Sequence, residues 1–140
     1  MRSIDGRLIA GAVLSVSLAA LLLGETTLDT LGRWGGAQTP SGPVCSYRLE
    51  TGQPCMGCGG THAFARAARG DFAAALRLNP LGAWVGLALW LTALGSALTA
   101  LSGRRGPLVA VLLAVLTASP AAFVWNAVWW WTSLPALTAH

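Results

Sequence analysis

Residues 81–101 read LGAWVGLALWLTALGSALTAL, a stretch of 21 residues without a charge. An α-helix rises about 1.5 Å per residue, so about 20 apolar residues cross the hydrocarbon core of a bilayer. The stretch therefore predicts a membrane-spanning helix. Gly82, Gly86, Gly95 and Ser96 place small residues along it where another helix can touch. Towards the C-terminus, residues 102–107 form a tight connection with Arg104 and Arg105, and residues 108–131 predict a second span. Pro120 should kink that span, because proline removes a backbone hydrogen bond. Trp125, Trp129, Trp130 and Trp131 crowd its end and fit an interfacial aromatic belt. Asn126, a polar residue inside the span, is expected to bond across helices. Towards the N-terminus, residues 8–24 form another apolar run, preceded by Arg2 and Arg7. Arginines before a short apolar run also describe a signal peptide, but no small-x-small cleavage site precedes Glu25 and Thr26. We read it as a first transmembrane helix.

The expected fold class is thus an all-α integral membrane protein with three transmembrane helices. Its 140 residues allow a single membrane domain. Composition agrees: 54% of residues are hydrophobic and 10% charged, against about 25% charged in soluble domains. The mean hydropathy is +0.60. The net charge of +4 comes from arginines alone. They are scattered, and no aromatic-basic module accompanies them, so a nucleic-acid partner is not expected. The lipid bilayer is the expected surrounding. Arg104 and Arg105 sit in a very short loop, where the positive-inside rule is strongest. That places this loop and the N-terminus in the cytoplasm, and the long segment 25–79 outside.

Segment 25–79 is the least regular. Gly32, Gly35, Gly36, Pro40, Gly42 and Pro43 predict loop and turn over residues 25–53. Glu25, Asp29 and Arg33 have a spacing that suits a short helix leaving the membrane, with a solvated face. Pro54 suits the first turn of a helix. At about 100° per residue, Cys55, Cys58, His62, Arg66 and Arg69 then fall on one stripe. Phe64, Ala67 and Ala68 lie roughly opposite, making the segment amphipathic. Gly57, Gly59 and Gly60 weaken this helix by about 1 kcal/mol each relative to Ala, and suggest close approach of a ligand or another helix. Gly70 is a helix stop, Asp71 an N-cap, and Asn79-Pro80 a boundary. The whole reads as short amphipathic or re-entrant helical structure.

The chemistry-bearing residues are concentrated in Pro54-Cys55-Met56-Gly57-Cys58-Gly59-Gly60-Thr61-His62. Cys55-x-x-Cys58 has the spacing of a zinc ligand pair, with His62 one turn further on and Cys45 as a fourth ligand. Zinc suits that donor set; cuprous copper or an iron–sulfur cluster are the other thiolate options. The same pair at a helix N-terminus suits thiol–disulfide chemistry, because the dipole and neighbouring cations favour a thiolate. An exoplasmic position permits oxidation, although no βαβ pattern surrounds the pair. The third reading is structural: cysteines and glycines that let a re-entrant segment pack closely, or a plain disulfide. Arg66 and Arg69 are candidates for contact with an anion or lipid headgroup.

The string Thr51-Gly52-x-Pro54-Cys55-x-Gly57-Cys58-Gly59-Gly60-Thr61-His62-Ala63, followed by Gly70-Asp71-Phe72-x-x-Ala75 and Asn79-Pro80-Leu81, resembles the bacterial membrane family called domain of unknown function 2752. The resemblance covers roughly residues 45–82. It implies a small protein of a bacterial plasma membrane with a few spans, and supplies no reaction. Family members usually carry proline after the first cysteine, where Met56 stands, and many carry arginine where His62 stands. An arginine there implies a site made by the cysteines alone, or a disulfide. The expected function is a thiol-based site at the membrane face, binding a metal ion or cycling between thiol and disulfide. The alternative is a non-catalytic membrane scaffold or assembly factor, whose partner is another membrane protein or a second copy.

Overall fold

A computed structural model of the protein describes the backbone of residues 6–35, 37–39, 42–44 and 46–138, and side-chain surroundings for residues 6–23 and 47–133. Helices dominate it. Helix α1 runs over Gly6–Gly35, α2 over Ser46–Thr51, α3 over Gly60–Ala68, α4 over Phe72–Leu78, α5 over Pro80–Ser102 and α6 over Gly106–Thr138. Three helices are long and apolar enough to cross a membrane, with candidate spans Gly6–Leu23, Pro80–Ser102 and Gly106–Ser133. The chain is a multi-pass membrane protein of the expected all-α class.

Segment 25–53 differs from the expected loop. Helix α1 continues well past residue 24, to Gly35. The i, i+4 spacing of Asp29 and Arg33 favours helix in that orientation, and no proline intervenes. The segment then forms a two-stranded antiparallel ribbon, β1 over Ala37–Thr39 and β2 over Gly42–Val44, with Gln38 opposite Pro43. Helix α2 follows, and Gly52, at φ 73°, ends it by returning its N–H to the Arg48 carbonyl at 2.9 Å.

The helix expected from Pro54 starts instead at Gly60. Residues 55–59 make successive tight turns, with Cys58 N–H donating to Cys55 O at 3.0 Å and Gly60 N–H to Gly57 O at 2.9 Å. Gly59 takes a left-handed conformation, φ 78°, which a helix interior does not allow. The punctuation further on is as read from the sequence. Asp71 caps α4 by accepting from Ala74 N–H at 3.1 Å, and Asn79 caps α5, with Pro80 in its first turn. Helix α6 continues through Pro120.

Helix α5 is the hub, packing against α1, α3, α4 and α6. Its small residues do this work. A side chain at Gly82 would collide with the Gly60 carbonyl and Ala63, and one at Gly86 with Ala67, so α3 lies directly on the α5 backbone. Ala63, Ala67, Ala75 and Ala83 form the buried cluster there, with Phe72 against it. On α5's other side, a Cβ at Gly95 would lie 3.0 Å from Val111. There Thr99 Oγ1 accepts from Leu108 N–H at 3.1 Å, and Trp84 Nε1 donates to Ser119 Oγ at 3.2 Å. Much of the remaining apolar surface, including Leu113, Leu116, Val124 and Trp131, is exposed, as lipid-facing residues are.

Candidate functional site

The turns over residues 54–59 form a backbone loop set against the start of α5 and the far part of α6. In an apolar setting each of its carbonyls needs a donor, and three side chains supply them. Asn79 Nδ2 donates to Met56 O at 3.1 Å and to Cys58 O at 3.2 Å. Its Oδ1 accepts from Gly82 N–H at 2.9 Å. Asn126 Nδ2, from α6, donates to the same Met56 O at 3.2 Å, while its Oδ1 accepts the otherwise orphaned Leu81 N–H at 3.2 Å. Trp130 Nε1 donates to Pro54 O at 2.9 Å. Asn79, Asn126 and Pro54 are fully buried. The loop is thus pinned at three carbonyls by side chains distant from it in sequence.

This scaffold presents Cys55 and Cys58, both half-buried. Their Sγ atoms are 3.3 Å apart, with either thiol able to donate to the other. The Cys55 backbone N–H donates to Cys58 Sγ at 3.1 Å. A disulfide needs about 2.05 Å between sulfurs, so the two sulfurs are in contact but not joined. Two thiolates on a tetrahedral zinc stand about 3.8 Å apart, from a Zn–S bond of about 2.3 Å.

His62 and Arg66 lie exposed on α3, and Arg69 is exposed at its C-cap. Arg66 pairs with Asp71 at 3.8 Å, an exposed contact of little energetic weight. Among the described residues no three His, Cys, Asp or Glu side chains gather in a group that could hold a metal ion. Cys55 and Cys58 therefore stand together without His62, and Cys45, proposed as a further ligand, lies outside the described residues.

Residues 45–93 match the family model of the protein of unknown function DUF2752. The family resemblance of the motif string is thereby shown for that segment. No curated protein and no solved structure matches the chain. The DUF2752 segment covers the cysteine loop, α3, α4 and the first part of α5. It includes Asn79 but neither Asn126 nor Trp130, so the loop is clamped partly from within the matched segment and partly from α6.

Asn126 carried a signal in the sequence, since a polar side chain in an apolar span is expected to find a partner. Asn79 read only as a helix boundary, and Trp130 only as an interfacial anchor. That both donate into the cysteine loop depends on pairings 21 to 76 residues apart, which local pattern does not encode.

Proposed function

We propose that the protein is a membrane thiol–disulfide couple in which Cys55 and Cys58 are the working pair. The observation that carries this reading is the pair itself: two sulfurs 3.3 Å apart, one accepting a backbone N–H, on a loop clamped at three carbonyls. Clamping holds the thiols near bond-forming geometry, which favours ring closure over reaction with a second chain. Oxidation breaks two S–H bonds, forms one S–S bond and releases two electrons and two protons to an acceptor. Supporting the topology, the Gly6 and Gly103 backbones lie against the Arg105 and Arg7 side chains respectively. This gathers positive charge at the bundle end opposite the cysteines. On the positive-inside rule that end faces the cytoplasm of a bacterial plasma membrane, and the cysteine loop faces the oxidising side.

The competing chemistry is a metal ion, with zinc the first choice, held by Cys45, Cys55 and Cys58 with or without His62. One preparation separates the readings. Full-length protein purified in detergent without chelator is assayed for metal content and for free thiols before and after diamide, a small disulfide-forming oxidant. The redox reading expects loss of two thiols per chain and reversal by dithiothreitol, with the loss abolished in Cys55→Ser. A metal ratio near one that vanishes in the Cys55→Ser/Cys58→Ser double variant would instead establish the metal site. If both variants keep fold and partner binding and neither metal nor oxidation registers, the loop is a packing element of a membrane scaffold.

A further inference from the structure

Between α1, α3 and α5 lies a groove of about 730 Å³, within the usual range for a small-molecule site. Val16 and Ala20 of α1, Phe64 of α3, and Val85 and Leu89 of α5 line it, with Gly57 of the cysteine loop at its rim. The α1 residues belong to the last turns of its apolar span and the α5 residues to the first turns of theirs. The groove therefore lies at membrane depth in the leaflet nearest the cysteines. No charged side chain is among the described residues lining it.

Gly57 is the informative residue. Gly59 has positive φ, and Gly82 makes room for Gly60 and Ala63; Gly57 and Gly60 have neither reason, and of these two Gly57 is the one beside a thiol. Gly57 does not have a positive φ, and the nearest atom to a Cβ built on it is Cys55 Sγ, at 3.8 Å. Among the described residues, nothing requires the missing side chain. Neither cysteine is among the described residues lining the groove, and Gly57 is the lining residue that stands next to Cys55 Sγ.

We propose, resting on the thiol–disulfide reading, that this groove holds a membrane-soluble isoprenoid quinone, the electron partner of the Cys55/Cys58 pair. Its ring sits over Gly57, and its tail runs along Phe64, Val85 and Leu89. The lining among the described residues is uncharged, which favours a quinone: a phospholipid brings a charged head that needs counter-charges, whereas a quinone is neutral at both ends. A quinone also takes up what the pair releases. Two S–H bonds break and one S–S bond forms. The two electrons and two protons convert the two ring carbonyls to hydroxyls, giving the quinol.

The test uses full-length protein in detergent, fully reduced, with decylubiquinone as probe, since its substituted ring accepts electrons without being alkylated by thiols. The expected result is one quinol formed per two thiols lost, at a rate that saturates with quinone. Ala20→Phe fills the groove from the wall opposite the loop, and Gly57→Val fills the rim. Each should raise the half-saturating concentration at least tenfold, with helicity by circular dichroism confirming the fold. If diamide closes the disulfide in the native protein but decylubiquinone does not, the quinone proposal is overturned and the thiol–disulfide reading survives. If neither oxidises the pair, both fail. Equal saturation in native protein and both folded variants would also overturn the groove as the site.

Discussion

The bundle has two ends, and each must turn the chain between helices. At the arginine end, α5 passes to α6 through Gly103, Arg104 and Arg105. One left-handed glycine and hydrogen bonds among residues 99–108 themselves hold that turn: Gly103 N–H to Thr99 O at 2.9 Å, Arg104 N–H to Ser102 Oγ at 3.3 Å and Leu108 N–H to Thr99 Oγ1 at 3.1 Å. At the cysteine end, residues 54–59 are held by two buried asparagines and a tryptophan that together make four hydrogen bonds to three loop carbonyls. A connection alone does not need that. Burying an amide is unfavourable unless its polar atoms are all matched, and here they are matched to a loop that carries a pair of half-buried thiols. The difference teaches that the cysteine end is built to hold a conformation, whereas the arginine end merely closes a helix pair.

Substitutions can break this contrast, and Asn79→Leu should do so most strongly. It orphans Cys58 O and strips Gly82 N–H of its cap, and leaves Met56 O to Asn126 alone. Each orphaned buried group costs about 1–3 kcal/mol, so a loss of about 3 kcal/mol or more is expected in thermal or denaturant unfolding. The Cys55/Cys58 pair should also become faster to alkylate as the loop loosens. Unchanged stability and alkylation would mean that the loop is not held by this network, and the contrast between the ends would vanish.

Trp130→Phe sharpens the comparison. It keeps an aromatic ring at the interface but deletes the donor to Pro54 O. A tryptophan acting only as a belt residue would leave the thiols indifferent to the change. A tryptophan acting as a clamp predicts a loss of about 1 kcal/mol, together with a several-fold rise in the alkylation rate of the cysteine pair. The rate decides between the two roles, because interfacial anchoring has no route to it.

The spans and their punctuation were legible in the sequence because apolar length, capping residues and small-residue positions are local properties. Residues 81–101, Asp71 and Asn79-Pro80 all expressed themselves as read. In segment 25–53 the glycines and prolines read as loop, whereas the helical spacing of Glu25, Asp29 and Arg33 is the part that continues as α1. The start of α3 was misplaced because Pro54 is as compatible with a turn as with a first helical turn, and only the left-handed Gly59 separates them. The site was half legible. Cysteine spacing identified the pair, whereas Asn79 and Trp130 act through long-range pairing that no periodicity records. His62 fell on the cysteine stripe only under the assumption of a continuous helix from Pro54. With the turns at 55–59 in place, that stripe does not form.

The smallest expected effect lies at the other end. Arg104 is exposed in the α5–α6 turn, and exposed substitutions away from caps and cores change stability by about 0.5 kcal/mol or less. Arg104→Gln should therefore leave unfolding and cysteine alkylation unchanged within error. Its effect should fall on orientation, since short-loop arginines set which end stays in the cytoplasm. A reporter fused after α6 gives the measurement: a mixed orientation in Arg104→Gln, with an unaltered melting profile, would show that this residue specifies placement and not conformation. If the substitution instead destabilised the fold as Asn79→Leu is expected to, the arginine turn would be as constructed as the cysteine loop, and the assignment of function to one end would lose its physical basis.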